Sequence, residues 1–247
     1  MQRVKCTLAY DGTDFAGFQT QLNGRTVQEE VEKGLQKLHK GEKTKVIASG
    51  RTDSGVHARG QVAHFDTWLD LPSLRWKMAF TSVLPPDIQV KEVVPVSDAF
   101  HARYDAVEKE YRYVIWNDQD PDLFRRNYTW HIRKPLDVKA MQEACRYIEG
   151  EHDFTSFCRP RAKVKGSKVR HLLKAHVTKH DQEIVFIFRG TGFLYNMVRI
   201  LVGTLIGVGK GERAPEDLAE ILEARDRHAA GFTAPAHALF LWEVTYE

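Results

Sequence analysis

Cysteine is scarce in this chain. There are three in 247 residues (Cys6, Cys145 and Cys158), an odd count with no CxxC pair. That disfavours a disulfide framework and offers no thiolate zinc set. None of the eleven histidines falls in an HExxH pattern. Long uncharged runs are nearly absent as well. The longest, Phe193 to Gly209, is broken by Arg199 and carries Gly203, Gly207 and Gly209, which makes it a poor membrane span. A strong net charge is also lacking: 36 basic against 33 acidic residues leave +3, so only the distribution of charge can argue for nucleic acid. The start, Met1 to Lys5, runs into a strand pattern with no apolar signal region, and a cytoplasmic protein is expected. What is present is ordinary for a globular chain: 43% hydrophobic and 28% charged residues, and length enough to bury a core without disulfides or metal.

The hydrophobic periods predict two similar runs of elements. Val4 and Thr7–Tyr10 read as a strand. Thr26-Val27-Gln28-Glu29 reads as a capping box, with Val27, Val31, Leu35 and Leu38 at helical spacing behind it. Strands at 44–49 and 61–68, a helix over 73–83 and a strand over 88–96 complete a split βαβ order. The second half repeats the grammar. A strand over 110–116 is followed by a helix marked by Val138, Met141, Cys145 and Ile148. Paired strands over 169–178 and 183–189 come next, then helices over 195–208 and from Pro215, and a last strand over 239–246. The expected fold is therefore α+β, two ferredoxin-like halves with a mixed, largely antiparallel sheet. The boundary falls near Arg103–Val107, giving halves 1–105 and 106–247.

Four features carry chemistry. Gly50-Arg51-Thr52-Asp53-Ser54-Gly55-Val56-His57-Ala58 sets one carboxylate beside an arginine on a glycine-bounded loop between strands. A plain hairpin turn would also explain the pattern locally. Arg199 is the sole charge between Phe193 and Lys210 on an otherwise apolar helix, where a guanidinium is costly without acceptors. It either snorkels to the surface or reaches a carboxylate from elsewhere, Asp53 being the outstanding candidate; such a pair would keep Asp53 ionised. Lys109-Glu110-Tyr111-Arg112-Tyr113 puts both tyrosines on one strand face, as core residues or as a stacking surface for a base. The run from Arg159 to His171 holds six basic residues (Arg159, Arg161, Lys163, Lys165, Lys168 and Arg170) and no acid, which suits a phosphate-binding arm. Arg25, Arg51, Arg59 and Arg103 add loop cations in the first half.

Other motifs fail. Asp11-Gly12-Thr13 has Ala9 where a phosphatase nucleophile belongs, and Gly207-Val208-Gly209-Lys210-Gly211 lacks the first glycine and the hydroxyl of a P-loop.

Together, four stretches resemble the tRNA pseudouridine synthase A family, in order along the chain. They are the Gly50–Ala58 loop; Phe100-His101-Ala102-Arg103 with Lys109–Tyr113; Phe193-Leu194-Tyr195-Asn196-Met197-Val198-Arg199; and Ala234-Pro235-Ala236-His237-Ala238-Leu239-Phe240-Leu241. Ala238 departs from the glycine usual there. The resemblance implies a pseudouridine synthase fold with an active-site cleft between the halves. It implies isomerisation of uridine to pseudouridine in the anticodon stem-loop, typically at tRNA positions 38, 39 and 40. Asp53 would be the catalytic carboxylate, Tyr111 would cover the target base, and Arg51 would help displace or replace the flipped base. Arg199 would pair with Asp53, and Leu239 would line the substrate pocket. It also implies a homodimer in which one tRNA touches both subunits, and no cofactor; the failed motifs above point to catalysis with neither metal nor nucleotide. Asp53 could attack C1′, attack C6, or take a ribose proton. Two rival classes are a non-catalytic RNA-binding protein with tandem ferredoxin-like modules, and a glycoside-cleaving enzyme, which usually needs a second carboxylate.

Overall fold

A computed structural model of the chain describes residues 1–159 and 166–247. Two compact units emerge, Met1–Val107 with Phe240–Glu247, and Glu108–Leu239. In chain order the elements of the first are β1 (Gln2–Tyr10), α1 (Val27–Leu38), β2 (Ile47–Ala48), β3 (His57–Thr67), α2 (Ser73–Val83) and β4 (Ile88–Val96). The second has β5 (Ala106–Trp116), β6 (Trp130–His131), α3 (Val138–Cys145), β7 (Gly150–Asp153), β8 (Val169–His180), β9 (Glu183–Gly190), α4 (Met197–Gly209) and α5 (Asp217–Ala224). The chain closes with β10 (Leu239–Tyr246).

In the first unit β1 lies between β4 and β3, antiparallel to both, and β2 adds to β3 through Ile47↔His64 and Ala48↔Ala63. This is the strand order of a split βαβ unit. The opposite end of β3 takes β10 in parallel, Phe240 opposite His57 and Leu241 opposite Ala58. That makes the sheet mixed. Helix α1 starts where the capping box requires, Thr26 Oγ1 accepting from the Glu29 amide at 3.4 Å. The expected strand over 44–49 shrinks to two residues. The Val46 amide donates to Glu32 and its carbonyl accepts from Gln28, so side chains of α1 take the bonds a sheet partner would have taken.

The second unit orders its strands β5-β9-β8-β7, all antiparallel, with β6 parallel to β5. The β8–β9 hairpin turns through Asp181, whose φ of 52° an aspartate tolerates. Helix α4 is its core: twelve of its thirteen residues are buried, all but Arg199. It begins at Met197 rather than at Tyr195, because Asn196 turns left-handed (φ 61°, ψ 7°) and breaks the helical run. Likewise α5 starts at Asp217, not at Pro215; the Asp217 carboxylate accepts from the Ala214 amide and holds 214–217 in a turn. Strands β6 and β7 were not expected. Gly-Glu-His-Asp of β7 contains no β-branched or aromatic residue to announce a strand, and only its pairing with β8 makes it one.

Candidate functional site

Asp53 sits half-buried in the loop joining β2 to β3, and its neighbours on both sides are fixed. Thr52 is buried; its hydroxyl bonds the Tyr10 phenol at 2.8 Å and its carbonyl accepts from the Phe18 amide at 3.1 Å. Burial pushes the Tyr10 phenol up to about 12 against the opposing hydrogen bonds of Thr52 and Gln61, so it stays a neutral partner. After Asp53, the Phe15 carbonyl accepts from both the Ser54 hydroxyl (3.2 Å) and the Gly55 amide (3.3 Å). The Asp53 carbonyl itself accepts from the Val56 amide at 3.1 Å.

The segment 11–18 is thus a brace for the aspartate loop, and two glycines let it approach. A Cβ on Gly12 would stand 2.1 Å from the Val56 carbonyl oxygen. Gly17 holds φ +109°, a conformation side chains resist, and a Cβ there would lie 2.9 Å from the Thr52 carbonyl oxygen. His57 closes the far side. It is buried, stacks on Phe240 at 4.8 Å, and its Nδ1 accepts from the Gly12 amide at 2.9 Å. Asp11-Gly12-Thr13, which fails as a phosphatase motif, has this bracing role instead.

Arg51 is exposed two residues before Asp53. Arg59 is exposed on β3, with its guanidinium 4.8 Å from the Trp242 ring. Arg103 is exposed beside Tyr104, whose ring stacks on His101 at 4.2 Å. This short segment is anchored at Ala102: its amide donates to His64 Nδ1 at 3.1 Å and its carbonyl accepts from Tyr246 at 2.6 Å. Burial pulls the His64 pKa down to about 4, so the ring is neutral and can accept. Arg25 differs from these. It makes two bonds to Asp87, at 2.6 and 3.0 Å, and lies 4.2 Å from the Phe15 ring, so its charge is largely committed to holding the brace.

In the second unit the two tyrosines of β5 part company. Tyr113 is fully buried and its phenol donates to the Pro235 carbonyl at 2.9 Å; burial raises its pKa, opposed by the charge of Arg199. It is a core residue. Tyr111 is half-buried, with the Phe193 ring at 4.9 Å between centroids and tilted 75° to it. Phe193 is therefore a second aromatic beside Tyr111, and sequence reading gave it no role.

Arg199 is half-buried at the third position of α4. Its Nε donates to the Ala234 carbonyl at 2.7 Å, its own carbonyl accepts from the Ala234 amide at 3.0 Å, and Nη1 lies 3.4 Å from Asn196 Oδ1. With Tyr113 on the next carbonyl, the strap Ala234-Pro235 is tied to the core just before the buried Ala238 and Leu239. The arginine neither snorkels nor floats. It locks the segment that leads into β10.

Of the basic run, Arg159 is exposed and bonds the Tyr195 phenol at 3.1 Å; Lys168 is half-exposed; Arg170 caps the Ser167 and Val169 carbonyls at 2.9 and 2.6 Å. Arg161, Lys163 and Lys165 lie outside the described residues. Among the described residues, no group of His, Cys, Asp or Glu is placed to hold a metal ion, and no helix is long and apolar enough to cross a membrane.

The fold class is thus an α+β chain whose ferredoxin-like strand order carries a braced aspartate loop, with a mixed, largely antiparallel sheet. A family model described as tRNA pseudouridine synthase matches residues 7–105 and 144–247. The tRNA pseudouridine synthase A of Oceanobacillus iheyensis is 51% identical over 247 residues, covering 100% of this chain and 98% of its own. The enzyme of the same name from Halalkalibacterium halodurans is 54% identical over 239 residues, 97% of this chain and 90% of its own. The chain belongs to the tRNA pseudouridine synthase family and is an isomerase that converts uridine to pseudouridine.

Proposed function

We propose that this synthase acts on the anticodon stem-loop of tRNA, at positions 38, 39 and 40, with Asp53 as its catalytic carboxylate. The observation that carries the reading is the brace around Asp53. A carboxylate whose flanking backbone is bonded from both sides is held in one geometry, and preorganisation of this kind is what separates a reacting group from a turn residue. The reaction breaks the N1–C1′ bond, turns the uracil, and joins C5 to C1′. It gains and loses no atoms, so it asks the protein for a reacting carboxylate, a clamp and a dry pocket rather than a co-reactant.

Each remaining residue has a part in that chemistry. The target nucleotide must leave its stack, at a cost of a few kcal/mol that is smallest near a loop. Arg51, exposed beside Asp53, is assigned to the space the base vacates. Tyr111 offers a half-open ring face for the flipped uracil, with Phe193 setting the angle of the ring. Arg199 is assigned as the ion-pair partner of Asp53, and Leu239 as an apolar wall of the pocket. Arg59, Arg103, Arg159, Lys168 and Arg170 would contact phosphates, joined by Arg161, Lys163 and Lys165; Arg25 would serve them least, being held by Asp87. A homodimer working in the cytoplasm, with a tRNA touching both subunits and no cofactor, completes the proposal.

Mapping of pseudouridine in unmodified tRNA after incubation with pure protein tests it. The expected product is confined to positions 38–40. Conversion elsewhere in the tRNA, with those positions untouched, would overturn the assignment of the substrate site.

A further inference from the structure

The second unit contains a cavity of about 560 Å³, of whose lining only Arg159 already has a proposed contact with the RNA. Its walls include Arg159, Asn196, Arg227, His228, Phe232 and Thr233, and no carboxylate lines it among the described residues. The loop that forms one wall is welded to α4. A Cβ on Gly203 would lie 2.0 Å from the Phe232 carbonyl oxygen, a Cβ on Gly231 would lie 2.8 Å from Thr204, and the Gly231 amide donates to the Thr204 hydroxyl at 2.9 Å. A side chain at either glycine would clash with that approach. Two arginines line the cavity. Arg227 spans the loop by donating to the Ala230 carbonyl and the Thr233 hydroxyl, both at 3.3 Å, and Arg159 is steadied by Tyr195. Burial lowers the Arg227 pKa, as expected for a cation set into the wall. Phe232, 48% exposed, lines the same cavity and is held by the Trp130 ring at 5.6 Å between centroids and near right angles.

Guanidiniums without an acid, next to a half-exposed aromatic ring, match the chemistry of a nucleotide: a phosphate for the forks and a base for the ring. We propose that this cavity binds one nucleotide of the RNA substrate, its phosphodiester on Arg227 and Arg159 and its base against Phe232. The inference rests on the reading of the substrate as a folded RNA. Asn196 lines the cavity and also touches Arg199, so the bound nucleotide lies near the residue assigned as the ion-pair partner of Asp53. It is therefore a positioning site for the strand that carries the target.

The test measures tRNA affinity across a salt series for the full-length protein and its variants. Arg159→Gln with Arg227→Gln should weaken binding about tenfold and lower the log–log salt slope by about 0.7–0.9, the value for one phosphate contact. Phe232→Leu should weaken binding about fivefold or more with the slope unchanged, since stacking releases no counterion. Arg227→Lys should keep the slope. Arg75→Gln, which removes an exposed charge on α2, should alter neither quantity. Arg227 also bridges its own loop, so each variant is checked by thermal melting; if Arg227→Gln fails to fold, Phe232→Leu decides, because Arg159→Gln would lose a phosphate contact under either reading. Unchanged affinity and slope in folded variants would overturn the proposal. So would inorganic phosphate or uridine monophosphate binding the wild type alone while tRNA binds all variants equally, which would mark a site for small anions. Asp53→Asn separates this inference from the function it rests on. If that variant still turns over, the catalytic assignment fails and the cavity stands; if it is inert while the salt slopes do not move, only the cavity proposal fails.

Discussion

Gly12→Ala adds a single methyl group at the point where the brace meets the aspartate loop. The new Cβ would stand 2.1 Å from the Val56 carbonyl oxygen, 2.5 Å from its carbon and 3.1 Å from the His57 nitrogen. Real contacts of this type begin near 3.0 Å, so one backbone segment must move by about 1 Å. Gly12 is not in the left-handed region, so the requirement is for space alone. Alanine would gain about 0.4–1 kcal/mol by restricting the unfolded chain. Against this stands overpacking at about 1–3 kcal/mol, plus about 1 kcal/mol for weakening the amide bond to His57 Nδ1. The costs win, by about 1–3 kcal/mol. For a chain of this size the melting temperature should fall about 2–4 °C per kcal/mol. Turnover should suffer more. Val56 is the residue whose amide bonds the Asp53 carbonyl, and a 1 Å misplacement of a reacting group can cost about a hundredfold. Thermal melting and single-turnover pseudouridine formation at saturating tRNA read the two effects separately. A Gly12→Ala enzyme with wild-type melting and wild-type turnover would refute the idea that the brace sets the position of Asp53.

The acid limb of the stability curve should contain a step from His64. Its pKa is 6.5 in the unfolded chain and about 4 in the fold, so the unfolded state binds more protons between those values. Stability is complete above pH 6.5 and falls as pH drops toward 4; His64→Gln, which keeps an acceptor for the Ala102 amide, should flatten that slope in chemical denaturation. Arg199→Met should cost about 1.5–3 kcal/mol through the lost bond to the Ala234 carbonyl and abolish most turnover. Combined with Asp53→Asn, the pair should be less destabilised than the sum of the singles, and strict additivity would refute the assigned ion pair. Arg25→Met should lower the melting temperature slightly yet leave the salt slope of tRNA binding unchanged, because its charge is spent on Asp87; a slope lower by about 0.7–0.9 would show a phosphate contact after all.

The elements with strong periods were legible in the sequence. Helix 73–83 and strands 88–96 and 239–246 coincide with α2, β4 and β10, because alternation or helical spacing matches one buried face in each. What failed was decided by tertiary bonds. Val46 gives its backbone to α1 side chains instead of a strand, and Gly150–Asp153 becomes a strand only by pairing with β8. The same division holds at the site. A lone carboxylate on a glycine-bounded loop and a lone arginine on an apolar helix stand out by composition. Nothing in the sequence showed that Tyr113 would be core while Tyr111 stays half-open, since both share one face of β5. Nor did spacing show that Gly12 and Gly17 press on the aspartate loop, or that Gly203 and Gly231 weld a cavity wall, because these contacts join distant segments.

The central claim is that Asp53 performs the chemistry and that its loop serves to hold it. Single-turnover pseudouridine formation by Asp53→Asn, at saturating tRNA and with melting and tRNA affinity measured on the same sample, tests it most directly. The account predicts a folded protein that binds tRNA with the wild-type salt slope and forms no detectable pseudouridine. Substantial turnover by that folded variant would contradict it.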